Sequence, residues 1–75
     1  MNLYEAKLMT NCIVKDIKIL DDKIKIRLME LGLVRGVIIK TNNRSVFKKT
    51  LLVIFNSSCF TLKENIAKSI EVDYV

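Results

Sequence analysis

The sequence of 75 residues contains no proline, no histidine and no tryptophan, and its only glycines are Gly32 and Gly36. The lack of proline and the scarcity of glycine exclude collagen-like and Pro-rich modules. Without histidine, the commonest general base and the commonest nitrogen ligand for metals are missing. Cys12 and Cys59 stand alone, far apart in the sequence, and carry no metal or redox spacing. The longest unbroken apolar run is Leu51-Leu52-Val53-Ile54-Phe55, well short of the ~20 residues of a membrane-spanning helix. The start, Met1-Asn2-Leu3-Tyr4-Glu5, lacks the basic opening and apolar stretch of a signal peptide. A cytoplasmic protein with reduced thiols is therefore expected.

With 51% hydrophobic and 28% charged residues, the chain has enough apolar surface to offset the entropy of ordering and is globular. Its length allows one domain, residues 1–75, with a packed core expected from about residue 9 to residue 74. The net charge of +5 suits a nucleic acid, an anionic membrane surface or an acidic protein, and does not choose among them.

Most of the chain reads as short strands. Cys12 to Ile19 is rich in β-branched residues. Ile13, Ile17 and Ile19 share a parity there, with a bulge expected near Val14. Asp21 and Asp22 are placed to cap a helix running from Lys23 to Leu31. Gly32 follows where a left-handed residue ends a helix, and Leu33 can fold back on the last turn. Val34-Arg35-Gly36 reads as a turn, then Val37 to Thr41 as a strand and Asn42 to Lys49 as a loop. Thr50 to Phe55 and Cys59 to Leu62 are strands joined by a tight turn at Asn56-Ser57-Ser58. Thr61 and Glu64 have the spacing of a capping box for one helical turn. Ser69 to Tyr74 alternates, with Ile70, Val72 and Tyr74 inward. The sum is a mainly β domain with one α-helix: a small SH3-like antiparallel five-stranded barrel with its helix between strands 1 and 2.

The segment Arg27-Leu28-Met29-Glu30-Leu31-Gly32-Leu33-Val34-Arg35-Gly36 resembles the R-L-x-x-L-G-[LM]-x-P-G signature of FeoA proteins, small cytosolic components of bacterial ferrous iron transport. The stretch from Thr61 to Val72 is similar to the family's A-L-R-x-x-x-A-x-x-I-x-V ending. Arg35 stands where the family usually has proline, and Asn11 where glycine is common. The loop from Asn43 to Lys49 lacks the usual Pro and Gly-Asp. The resemblance implies an SH3-like fold, shared with the C-terminal domain of DtxR-type repressors. It also implies a non-catalytic binding module acting on FeoB, the membrane permease that carries a cytosolic GTP-hydrolysing domain.

On the helix, at about 100° per residue, Ile24, Leu28 and Leu31 form one stripe, with Ile26 and Met29 roughly opposite. One barrel covers one stripe fully. The other, with Leu33, is either exposed for docking or buried in a groove. Ile26, Arg27, Leu28, Met29, Leu33 and Arg35 are the expected partner contacts. Arg44, Lys48 and Lys49, beside Phe47 and Lys40, form a second, electrostatic candidate at a loop tip. The other reading of that tip is solvated surface with Phe47 folded onto the barrel. Asp21, Asp22, Leu31, Gly32 and Gly36 are expected to be structural. No catalytic residue, metal site or cofactor is assigned. A soft-metal site at Cys12 and Cys59, completed by Glu5, Asp16 or Met9, has no support in spacing, and buried cysteines acting as small hydrophobes explain both. A small basic barrel binding nucleic acid and a repressor-like metal-sensing domain are the alternatives. Scarce exposed aromatics and the acidic Glu71 and Asp73 count against nucleic acid. With open strand edges, a monomer or weak homodimer is expected. Association with the inner membrane face would come through the partner.

Overall fold

Alternation is cleanest in Thr50-Leu51-Leu52-Val53-Ile54-Phe55, where Leu51, Val53 and Phe55 are buried and the residues between them half-buried. That period of two is the signature of a strand with one face on the core. The computed structural model, covering residues 1–75, builds a single coiled sheet around this strand. It opens with a 3-10 turn at Leu3–Glu5. There follow β1 (Asn11–Ile17), α1 (Asp22–Glu30), β2 (Ile38–Ser45), β3 (Thr50–Phe55), β4 (Ser58–Lys63), α2 (Glu64–Ala67) and β5 (Ile70–Tyr74). The five strands are antiparallel in the order β4-β3-β2-β1-β5, an SH3-like barrel with one main helix between its first two strands. No ladder joins β4 to β5, so both are edges, and α2 links them. No helix is long and apolar enough to cross a membrane.

Several local expectations change. In β1 the buried residues are Cys12 and Val14, not Ile13. The bulge, at Lys15 between Val14 and Asp16, resets the parity, so that Ile17 and Ile19 pack on the core after it. Strand β2 runs on to Ser45, and the expected loop shrinks to a turn at 46–49. Thr41-Asn42-Asn43-Arg44-Ser45 has weak strand propensity, but pairing with β3 overrides it through a bulge at Asn42. Asn56 and Ser57 both have positive φ, 53° and 62°. That is what a two-residue hairpin turn requires, because its twist then matches the strands. Tyr74 is half-exposed rather than inward, and its hydroxyl accepts from Lys7 N at 2.9 Å.

The expected capping box at Thr61 and Glu64 does not form. Lys63 occupies the cap position without a side-chain bond, and Glu64 N instead donates to Lys49 O at 2.8 Å, extending the β3–β4 ladder. A capping box does form at Asn2 and Glu5, each side chain accepting from the other's backbone N–H at 3.1 Å. The packed core therefore starts earlier than residue 9, because Leu3 and Ala6 are completely buried.

The end of α1 fixes how the helix sits. Asp21 Oδ1 accepts from Lys23 N at 2.9 Å and Ile24 N at 3.4 Å, so Asp21 is the N-cap and Asp22 the first helical residue. At the other end, Gly32 N donates to Met29 O at 3.0 Å and Leu33 N to Leu28 O at 2.9 Å. These are the two bonds of a Schellman cap, and they fold Leu33 back against Leu28, both in the core. Gly32 has φ +94°, and a Cβ there would run into the Asn56 side-chain amide. Asn56 Nδ2 in turn donates to Leu31 O at 3.5 Å, tying the β3–β4 turn to the helix end.

Gly32→Ala is expected to lose about 1–2 kcal/mol from the left-handed backbone alone, a Tm drop of at least about 4 °C. Thermal unfolding followed by circular dichroism checks this. Asn56→Gly, which relieves the contact and keeps the turn, is expected to recover part of the loss in the double variant.

Candidate protein-docking surface

Helix α1 hangs on the barrel by a narrow stripe. Leu28 is its one buried residue, Ile24 is half-buried against the core, and Leu33 just beyond the cap is completely buried. Leu28 and Leu33 are therefore core residues: Leu33 is completely buried, which corrects its expected place among the partner contacts, and Leu28 keeps only a sliver of surface. Both are consumed by the cap that seats the helix. Ile26 and Met29, each 54% exposed, face outward, and Val34 beyond the helix end is partly exposed beside Met29. This leaves an apolar stripe on the outer face of α1 with Lys23, Lys25 and Arg27 around it. Met29 and Val34 also line a shallow hollow over Ile17, closed on one side by Asp16 and Arg35.

On the other flank of α1 lies a groove of about 610 Å³, walled by α1, β4 and α2. Its apolar lining is Ile24, Leu28, Leu31, Phe60, Leu62 and Ile66. Phe60 is stacked on Phe55 with ring centroids 4.7 Å apart, which fixes the floor. Lys23, Arg27 and Lys63 stand at the rim and enter no ion pair. Asp21 is the carboxylate in the lining, and its oxygen is committed to the helix N-terminus. Sequence reading missed the groove, whose half-buried residues on the far side are Phe60 and Ile66, with the buried Leu62 beneath them. The shared parity of Phe60 and Leu62 is visible in sequence, but the place of their strand at the sheet edge is not.

The electrostatic candidates separate. Lys48 and Lys49 are exposed on the turn after β2, and Phe47 there is fully exposed rather than folded onto the barrel. A second hollow, lined by Lys48, Lys49, Thr50, Lys63, Glu64 and Asn65, shares Lys63 and Asn65 with the groove. The two lysines therefore extend its cationic rim. Arg44 does not join them. Its guanidinium donates from Nε and Nη2 to Tyr4 O and from Nη2 to Ala6 O, and lies 5.2 Å from the Tyr4 ring centroid. Its charge is spent clamping the N-terminal segment onto β2, a geometry that suits the planar fork of arginine. Arg35 Nη2 bonds Asp16 Oδ1 at 3.2 Å. The Ile17 N–H, and then this guanidinium, hold the Asp16 carboxyl below its ordinary range.

The cysteines stay apart. Cys12 is buried in β1, where burial pushes its thiol up and away from thiolate chemistry. Cys59 is exposed on β4, contrary to the expectation of a buried small hydrophobe, because its parity faces away from the core. No three histidine, cysteine, aspartate or glutamate side chains converge. Gly36, at φ +89°, lets its N–H reach Val14 O at 2.8 Å in the turn before β2.

Against known proteins, the FeoA domain family matches residues 1–74. The solution structure of the FeoA protein from Chlorobium tepidum is 29% identical, with TM-score 0.91 over 100% of this chain and 70% of that one. The crystal structure of Stenotrophomonas maltophilia FeoA, complexed with zinc, is 34% identical, with TM-score 0.83 over 97% of this chain and 89% of that one. A manganese-dependent transcriptional repressor shares the fold, with TM-score 0.90 at 17% identity, over 100% of this chain and 36% of that one. No curated protein matches the chain.

The bonds that Asp16 accepts, first from Ile17 N and then from Arg35, give a pH signature. A carboxyl held lower in the folded state than in the unfolded chain adds stability above its unfolded pKa. That increment is lost as pH falls through the folded pKa. Asp16→Asn is therefore expected to lower Tm at neutral pH and to flatten its fall below about pH 4. Thermal melts of both proteins across the acid range test this, and parallel curves would contradict it.

Proposed function

The chain belongs to the FeoA family, and on that premise we propose that it is a cytoplasmic, non-catalytic accessory factor of ferrous iron uptake that works by protein–protein contact with the FeoB permease. The family is associated with ferrous iron transport. The observation that carries the contact reading is the exposed apolar stripe of α1. Ile26 and Met29 are each 54% exposed, on a helix that a 75-residue domain holds with few buried side chains. Apolar surface rimmed by charge is the composition of a docking face, apolar at its centre and polar at its edge. In this reading Ile26 and Met29 are the centre, Arg27 and Arg35 the rim, and Lys48 and Lys49 the outlying charges that steer an acidic partner. Peripheral membrane association then follows from the partner.

The experiment is direct binding of the labelled chain to the full-length permease in lipid nanodiscs, read by interferometry. Ile26→Glu combined with Met29→Glu is expected to weaken binding at least about tenfold, since both would sit at the desolvated centre of the contact. Because both residues are more than half exposed, the fold is expected to survive, which circular dichroism checks. Equal binding by the double variant would remove α1 as the docking face.

A further inference from the structure

The two edges of the sheet are treated differently. Along β5, Val72 N donates to Met1 O at 2.9 Å, Asn2 bridges Glu71, and the N-terminal amine meets Glu71 Oε1 at 2.9 Å. The N-terminal segment thus covers that edge. Nothing covers β4, which pairs on one side only, with β3.

The register says which backbone groups β4 leaves free. The two-residue turn makes Phe55 and Ser58 a pair that exchanges both ladder bonds, and such pairs recur at every second residue. The bond from Glu64 N to Lys49 O continues the same phase. Ser58, Phe60 and Leu62 therefore bond inward to β3. Cys59 and Thr61 turn their N–H and C=O groups outward, and Lys63 turns its N–H outward. A bare row of this kind is a template for another strand unless it is blunted. Here it runs beside the groove, with apolar floor on one side and cations on the rim.

We propose that the groove between α1 and β4 takes an extended acidic–apolar segment of the partner protein as an added strand on β4. This deepens the protein-contact reading and rests on it for the source of the segment. Backbone bonds to Cys59, Thr61 and Lys63 set the register, in the manner of strand addition. Alternate side chains of the segment enter the groove over Phe60 and Ile24. The remaining positions carry carboxylates to Lys23, Arg27 and Lys63, which have no partner within the chain. A second copy of the chain fits less well, because it brings a net charge of +5 against the same cations.

The test has two arms. In the first, the isotope-labelled chain is titrated, by NMR, with a seven-residue peptide alternating glutamate and valine, and with its lysine–valine counterpart. The glutamate peptide is expected to move the amides of Ile24, Arg27, Cys59, Thr61 and Lys63, and to bind at least tenfold more tightly than the lysine peptide. Thr61→Pro removes an outward N–H that no ladder bond uses. It is expected to abolish this binding, while Thr61→Val keeps it. Should Thr61→Pro lose the native spectrum, Arg27→Glu with Lys63→Glu takes its place and is expected to weaken the glutamate peptide at least tenfold. Equal binding of both peptides, shifts confined to other surfaces, binding unchanged in these variants, or a β4-paired dimer in place of peptide binding would overturn the proposal.

The second arm measures wild type and Thr61→Pro, or the double charge variant, against the permease in nanodiscs. Permease bound equally by wild type and variant overturns the groove and leaves the protein-contact reading standing. A peptide held in the groove by a chain that ignores the permease overturns the permease reading and leaves the ligand class standing.

Discussion

The surface of this domain follows from the Schellman cap at Gly32. That glycine, in a conformation other residues enter at a cost, reverses the chain and drives Leu33 into the core against Leu28. The helix is thereby pinned at its C-terminal end by two leucines. Asn56, on the turn between β3 and β4, holds the same end through Leu31 O. The rest of α1 is free to stand off the sheet. Its outer stripe stays in solvent, and a groove opens between it and β4. A helix packed along its length would have closed both.

Charge is distributed on the same plan. Cations that serve the fold are engaged: Arg44 on the carbonyls of Tyr4 and Ala6, and Arg35 on Asp16. Cations around the groove are not: Lys23, Arg27, Lys48, Lys49 and Lys63 make no ion pair, as is also true of Lys7, Lys15, Lys25 and Lys40 elsewhere on the surface. Exposed ion pairs contribute little to stability, so leaving these lysines and arginines unpaired costs the fold little and leaves them available to an acidic partner. The covered edge of β5 and the bare edge of β4 repeat the contrast in backbone hydrogen bonding.

Much of the fold was legible because its signals were local. The caps of α1 rest on Asp21, Gly32 and Leu33, the β3 pattern on strict alternation, and the hairpin on Asn56. What sequence could not show depended on distant partners. Asn42-Asn43-Arg44 reads as a loop until β3 is there to pair with it. The Thr61–Glu64 spacing loses to a ladder bond from Glu64 to Lys49. Leu3 has no visible reason to be buried until Arg44 clamps the segment that carries it. The candidate site was half legible. Two apolar stripes on one helix left open whether the second is exposed or buried in a groove, and periodicity alone did not say that Leu28 and Leu33 are core while Ile26 and Met29 are surface. The groove was missed because its far wall, where Phe60 is half-buried over the buried Leu62, is open only where β4 ends the sheet.

On the proposed reading, α1 and the adjoining edge of β4 together meet the partner. Amide hydrogen exchange on the chain, alone and with the full-length permease in nanodiscs, addresses that reading most directly. Slowed exchange in α1 and in the outward-facing amides of Cys59, Thr61 and Lys63, with β5 unchanged, is the predicted result. Protection confined to the covered β5 edge and the N-terminal segment, or an unchanged pattern with the permease present, would contradict it.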